Sequence, residues 1–340
     1  MGTRSDRKLY LGTVDGLYSA DLSSEGISAR LIGLGDMGIL RASVVVDKDD
    51  PKRVYAGATR GGMYCSEDAG ESWREINDGI FHKDVWSIVQ HPTTGTLYAG
   101  ASPARVYRSD DRGESWRDCP QLETLPTTKG WTGPLPPHVS RMKCLSLSST
   151  DPDRIYGAIE EGWAVRSQDG GATWQQIDQG MDHDGHAIAA MLRDPNTVIA
   201  TGGKGLYRSE DCGDSWVKLT PADAPYRYTP ADLPIHPSRP EVLYTAVSAT
   251  GPGGWSRPEG PGVNFVRSED EGRTWELIRG ALPEENRSVP RGLAVDPEEP
   301  ETYYMGMTDG SVWISEESGA HFRQILGGLP GVHSVTVVVR

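Results

Sequence analysis

One eight-residue phrase recurs along the chain and limits the fold more than any other feature. Its clearest copy is Ser109-Asp-Asp111-Arg-Gly113-Glu-Ser115-Trp116. The phrase returns as Ser66-Glu-Asp68-Ala-Gly70-Glu-Ser72-Trp73, Ser167-Gln-Asp169-Gly-Gly171-Ala-Thr173-Trp174, Ser209-Glu-Asp211-Cys-Gly213-Asp-Ser215-Trp216 and Ser268-Glu-Asp270-Glu-Gly272-Arg-Thr274-Trp275. A worn copy, Ser315-Glu-Glu317-Ser-Gly319-Ala-His321-Phe322, carries Glu for Asp and Phe for Trp, and a fainter one begins at Ser19-Ala-Asp21. Successive copies start 47, 43, 58, 42, 59 and 47 residues apart, which predicts a repeat architecture rather than two ordinary domains.

The phrase reads as a hairpin. An apolar-aromatic run leads in and the Trp begins another short strand. The Asp can accept backbone N–H groups in the turn, and the Gly supplies a positive φ. The Trp then plugs the space between neighbouring sheets. Each repeat divides into four short strands; the third is Val85–Gln90, Thr96–Ala101, Val106–Ser109 and Trp116–Cys119. Helical periodicity is nearly absent, and 41 Gly with 24 Pro suit many turns. The expected fold is all-β, a seven-bladed β-propeller of four-stranded antiparallel blades. Blade 1 takes 7–34 plus 331–340, blade 2 takes 38–78, and blade 3 takes 83–119. Blade 4 takes 140–179, blade 5 185–220, blade 6 228–280 and blade 7 288–327. The chain opens on what reads as a second strand, Lys8–Gly12, and closes on an orphan first strand, Val332–Arg340. Pairing the two ends closes the ring and leaves no free edge there.

The octapeptide resembles the Asp-box (BNR) motif of sialidases, xyloglucanase-type glycosidases, sortilin-type receptors and photosystem II assembly propellers. The resemblance covers nearly the whole chain. It implies a structural staple away from the functional face, so the box aspartates are not catalytic candidates. Sialidases use six blades with an Arg triad and a Tyr nucleophile, which Tyr226 or Tyr228 beside Arg227 echoes only faintly. Xyloglucanase-type enzymes work in a cleft between two propellers, and the photosystem assembly propellers are protein-binding scaffolds carrying Arg on the functional face. The resemblance therefore implies the fold and leaves the activity open.

A net charge of −14 argues against nucleic acid as a partner. No apolar stretch reaches about 15 residues, so neither export signal nor membrane span is expected and a cytoplasmic location follows. Cys65, Cys119, Cys144 and Cys212 lack metal-type spacing and suit free thiols, although Cys119 and Cys144 flank one long loop and a pairing there stays open.

A propeller gathers its variable loops on one face, here the long segments Pro120–Arg141 and Ser248–Phe265. First strands start at that face and line the central channel. Residues at the mouth are then Arg41, His82, Asp84, Trp86, Arg141, Lys143, His183, His186, Arg227, Tyr228, Arg287, Arg291 and His333, joined by Glu160, Glu161, Lys204 and Arg105 from neighbouring loops. So many Arg residues around one opening of an acidic protein predict a small anionic or carbohydrate-like ligand. Several of them could equally pair with Asp or Glu of neighbouring blades. The acid–base candidates are His186, His82, Glu160 and Glu161, with Asp182, Asp184 and Glu285 as further carboxylates. No cofactor is required; one divalent metal could be held among His82, His138, His183, His186 and His333. Trp131, Trp163 and Trp255 lie on mouth loops, where they either stack on a ligand or anchor their own loops. Two functions compete: an enzyme of the glycosidase-like hydrolase or lyase class, and a scaffold gripping a protein partner with the same face.

Overall fold

Short apolar strands separated by Gly, Pro and Asp turns fold into seven antiparallel sheets around one axis, in a computed structural model that describes residues 6–23, 26–134 and 136–339. Blade two is Val44–Val46, Val54–Ala58, Gly62–Ser66 and Arg74–Glu75. Blade three is Asp84–Gln90, Leu97–Ser102, Arg105–Ser109 and Arg117–Asp118. Blade four is Arg141–Leu147, Ile155–Glu160, Ala164–Ser167 and Gln175–Gln176, and blade five is Gly185–Ala190, Val198–Gly202, Gly205–Ser209 and Val217–Lys218. Blade seven is Pro290–Val295, Tyr303–Met307, Val312–Ser315 and Arg323–Leu326. The inner strands of neighbouring blades lie against one another around the axis.

Blade six departs from the pattern. Leu243–Ser248, Val263–Ser268 and Glu276–Ile278 form its ladder, while the place of the inner strand is held only by the bridges Tyr228–Ser248 and Ile235–Leu243. Pro230 and Pro234 fall in this stretch and cannot donate to a ladder.

Closure occurs as the two chain ends predict. Val332–Val339 pairs with Arg7–Thr13, with Lys8 opposite Val338 and Gly12 opposite Ser334, and Gly16–Ser23 and Gly26–Gly33 complete blade one. The Arg7 guanidinium reaches Asp296 of blade seven at 3.1 and 3.2 Å, both side chains being buried, so the seam also carries an ion pair.

The five full copies of the octapeptide build one turn. In the second blade the Asp68 carboxylate accepts the Ser72 N–H at 2.8 Å and the Ser72 hydroxyl at 2.6 Å, and the Gly70 N–H reaches Ser66 Oγ at 2.8 Å. Asp111, Asp169, Asp211 and Asp270 accept the same way. The Trp73, Trp116 and Trp216 indoles donate to the carbonyls of Ile32, Ile76 and Ile177 in the preceding blade, whereas Trp174 and Trp275 donate within their own turns. In the worn copy, Phe322 stacks on Phe265 at 5.2 Å. The copy read at Ser19 is not a turn: Ser19 and Asp21 lie inside a strand opposite Arg30 and Ser28, because the alternating run continues past them. Buried Tyr10, Tyr55, Tyr98, Tyr156, Tyr244 and Tyr304 occupy the second strands of six blades. All four cysteines are free, including Cys119 and Cys144. Among the described residues no helix is long and apolar enough to cross a membrane.

Candidate functional site

The inner strands begin at the face of the long loops, and there their pairing slips. Pairing with the second strand shifts register between Val85 and Ser87, between Met142 and Cys144, between Gly185 and Ala187, and between Pro290 and Gly292. In blade one it skips from Ser334 to Val332. The residues left over are Trp86, Lys143, His186, Arg291 and His333. A bulge bends its strand and re-aims one side chain, so five blades each turn one residue toward the axis near the start of the inner strand. In blade two the ladder starts only at Val44, and Arg41 adopts a left-handed φ of 54° in the corresponding place.

Trp86, Lys143, Arg291, His333 and Arg41 line a cavity of about 310 Å³ at the mouth, together with Arg141, Glu160, Asp184 and Tyr228; Leu40, Pro134 and Pro252 supply apolar wall. Farther along the inner strands lies a separate, largely apolar cavity of about 360 Å³ that holds Asp232.

The charges of the mouth fall into two groups. On one side, Glu160 accepts from Lys143 Nζ at 2.7 Å and from Arg141 Nη1 at 2.8 Å, and the Arg141 guanidinium stacks on Trp86 at 4.5 Å. Burial opposes the charge on Glu160, but Lys143 and Arg141 outweigh it and bring its carboxyl down to about 2. Burial lowers the Lys143 ammonium to about 8, with Glu160 resisting. On the other side stand Arg41 and Arg291. Arg41 donates to the Pro230 carbonyl at 2.9 Å and keeps Asp232 at 4.0 Å. Arg291 lies over the Trp255 ring at 4.7 Å and is paired with no carboxylate among the described residues. Burial and then the neighbouring Arg41 charge lower Arg291 to about 10, and burial with the same two arginines drops His333 to about 3, so its imidazole is neutral.

His186 sits beneath this layer, fully buried, with Nδ1 2.8 Å from the Thr229 carbonyl and Nε2 3.0 Å from Asp184 Oδ2. The Thr229 hydroxyl lies 3.4 Å from Nδ1, and burial, then the Lys143 charge, lowers the His186 imidazole below its ordinary value in spite of Asp184. Burial resists the charge on Asp184, yet His186 and Lys143 hold its carboxyl well below the usual range. The Tyr228 ring packs edge-on against His186 at 4.5 Å and Trp255 at 5.8 Å, and burial raises its hydroxyl to about 12.

Beside the mouth, between blades five and six, runs a groove of about 540 Å³ that shares Asp184, Tyr228 and Pro252 with it. Glu161, His183 and Arg227 lie there rather than in the mouth, and Lys204 is paired with Asp182 at 2.8 Å.

Other sequence candidates are placed elsewhere. His82 lies at the rim beside exposed Phe81, its backbone N–H donating to Tyr107 Oη, because Trp86 takes the mouth position of blade three. His138 closes its own loop, Nδ1 donating to the Gly133 carbonyl at 2.8 Å. Arg287 donates to the Glu284 and Asn286 carbonyls in a separate rim cavity of blade six. Trp131 anchors its loop, packing on the apolar cluster of blade four and donating to Gln176 at 3.3 Å. Trp163 packs edge-on to His183 at 4.4 Å and lines neither opening, while Trp255 backs the mouth behind Arg291 and Tyr228. Arg105 pairs with Asp118 and Glu123. Among the described residues no three His, Cys, Asp or Glu side chains converge as a metal site would need, and the five candidate histidines are dispersed. Asp232 and Thr229 escaped the sequence reading. Asp232 is the lone charge in the Thr229–Ile235 stretch, and that position is the signal that marks it.

No protein-family model matches the chain. Over 131 residues it is 29% identical to a xyloglucanase from Paenibacillus sp, a match covering 36% of this chain and 12% of that protein. Among solved structures it superposes on the GH74 xyloglucanase from Xanthomonas campestris with a TM-score of 0.67 and 18% identity, covering 93% of this chain and 51% of that one. YCF48 from Cyanidioschyzon merolae gives a TM-score of 0.54 at 13% identity, covering 88% of this chain and 94% of that one. The chain thus spans an eighth to a half of the length of the xyloglucanases it resembles, and the likenesses establish the propeller.

Proposed function

We propose that the mouth binds a small sugar-like carboxylate, gripped between Arg41 and Arg291. The observation that carries this reading is that two guanidinium groups line the mouth together, Arg41 buried and Arg291 half-buried over Trp255, and that Arg291 forms no ion pair with a carboxylate among the described residues. Two like charges in a low-dielectric cleft repel, and a bound anion relieves that cost while meeting the planar fork of each side chain. A concave cavity of about 310 Å³ suits a single small ring better than the broad flat patch of a protein scaffold. The likeness to a xyloglucanase favours a sugar acid over other carboxylates.

Of the two reaction classes open to the mouth, elimination fits its protonation states better than hydrolysis. Glycoside hydrolysis asks for one protonated and one ionised carboxyl. Glu160 and Asp184 are both held ionised. With the ligand carboxylate neutralised by Arg41 and Arg291, the C–H beside it becomes acidic. Lys143 in its neutral form removes that proton, a C=C bond forms, and the oxygen on the next carbon leaves with a proton from Tyr228.

The test is a thermal-shift series with galacturonate, glucuronate and glucose. The acids should raise the Tm of the wild-type protein and fail to raise that of Arg291→Ala, and glucose should do nothing in either. Equal stabilisation of the variant, or a response to glucose alone, overturns the proposal.

A further inference from the structure

The mouth is open sideways. The groove between blades five and six meets it along Asp184, Tyr228 and Pro252, so a ligand seated at the axis has a path outward along one radius. Arg227 and Arg257 stand exposed in that groove and make no ion pair among the described residues. The other charges there are largely answered: Lys204 by Asp182, and Asp184 by His186. Glu161 is the remaining carboxylate, so the unanswered charge of the groove is positive.

We infer that the ligand is an oligomer of acidic sugars, whose terminal unit sits between Arg41 and Arg291 and whose second carboxylate is held in the groove by Arg227 and Arg257. This rests on the reading of the mouth given above. The groove's walls suit a sugar unit. Carboxylates, guanidinium groups and a histidine offer both acceptors and donors to ring hydroxyls, and the Thr250–Gly254 loop brings backbone close without side-chain bulk. An extended peptide would instead need a sheet edge or alternating apolar pockets, and neither lines the groove.

Isothermal titration of galacturonate and digalacturonate, with the wild-type protein and the Arg227→Ala/Arg257→Ala variant, tests the inference. Digalacturonate should bind the wild-type protein at least about tenfold more tightly than galacturonate. That gain should shrink with added salt and vanish in the double variant, whose loss falls on the dimer far more than on the monomer. Both arginines are exposed, so folding is preserved and a thermal melt verifies it. Equal affinity for monomer and dimer in the wild-type protein overturns the second site while leaving the mouth reading standing. A double variant that loses monomer and dimer alike also overturns it. No binding of either acid to the wild-type protein overturns both readings together.

Discussion

Lys143 is fully buried, and an ammonium there persists only because Glu160 lies 2.7 Å away. The converse also holds: the Glu160 carboxyl is brought from 4.5 to about 2 by Lys143 and Arg141 in spite of burial. A carboxyl lowered on folding stabilises the protein above its ordinary value, and that contribution is lost as pH falls toward the folded value. Glu160 therefore withdraws its stabilisation between about pH 4.5 and 2. Glu160→Gln leaves Lys143 without its closest counter-charge and should cost about 3–5 kcal/mol at pH 7. The loss should shrink in alkaline solution, where lysine is neutral and needs no partner. Urea melts at pH 6.5 and 9 check both limbs, and a loss independent of pH would show that the pair is not the cause. The same substitution removes the charge that holds Lys143 up at about 8, so its value falls further. If neutral Lys143 is the base, the rising limb of the elimination rate should move to lower pH in that variant.

The repeated turn makes a second, separable prediction at the level of the blade. Trp116 is buried and ties blade three to the Ile76 carbonyl of blade two, so Trp116→Ala should cost about 3–5 kcal/mol. Asp111 accepts the Ser109 hydroxyl at 2.7 Å and the Ser115 N–H at 3.0 Å, and Asp111→Ala should cost about 1–3 kcal/mol. Both residues belong to one turn, at the end of the strands opposite the mouth, so calorimetric affinity for galacturonate should be unchanged in each folded variant. Altered affinity would mean that the staple also shapes the site. These turns show why the blades were readable from the chain alone: each repeats the same donors and acceptors in the same order. The faint copy at Ser19 misled because alternation continues through it, and an uninterrupted strand needs no turn. The mouth was legible only in part. Arg41, Arg141, Lys143, Tyr228, Arg291 and His333 follow from counting to the start of each inner strand, and Glu160 from the link that follows a second strand. His82 and Arg287 do not, because a one-residue bulge decides which side chain faces the axis, and no residue type announces it. Trp131 and Trp255 stood equally for stacking and anchoring in the sequence. Both indoles proved to donate to their surroundings, to Gln176 and the Thr250 carbonyl.

The whole ring rests on a second repeat that is plain once the blades are laid side by side. Tyr10-Leu-Gly12, Tyr55-Ala-Gly57, Tyr98-Ala-Gly100 and Tyr304-Met-Gly306 stand in the second strands of blades one, two, three and seven. Residues two apart share a face, so each Tyr and Gly turn the same way, toward the next blade. Gly12, Gly100 and Gly306 lie opposite Ser334, Ser87 and Gly292, the residues just past the bulges at His333, Trp86 and Arg291. The glycines thus let the next blade close in at the height where the mouth is built. At the seam, a Cβ on Gly306 would stand 2.4 Å from Val332 Cγ1 and 3.1 Å from Val335 Cγ2. Gly306 has no left-handed φ, so the obstacle is the neighbouring blade and not its own backbone. Gly306→Ala should therefore cost about 1–3 kcal/mol through overpacking. Because Val332 immediately precedes His333, the displacement should also reach the mouth and weaken galacturonate binding. Gly130→Ala, with nothing within 4 Å of the added carbon, is the control and should stay within about 0.5 kcal/mol of the wild-type protein. Denaturant melts and titration calorimetry on the two variants decide the matter. If Gly306→Ala were as stable as Gly130→Ala and bound as the wild-type protein does, the close approach of blades seven and one would not be what sets the mouth.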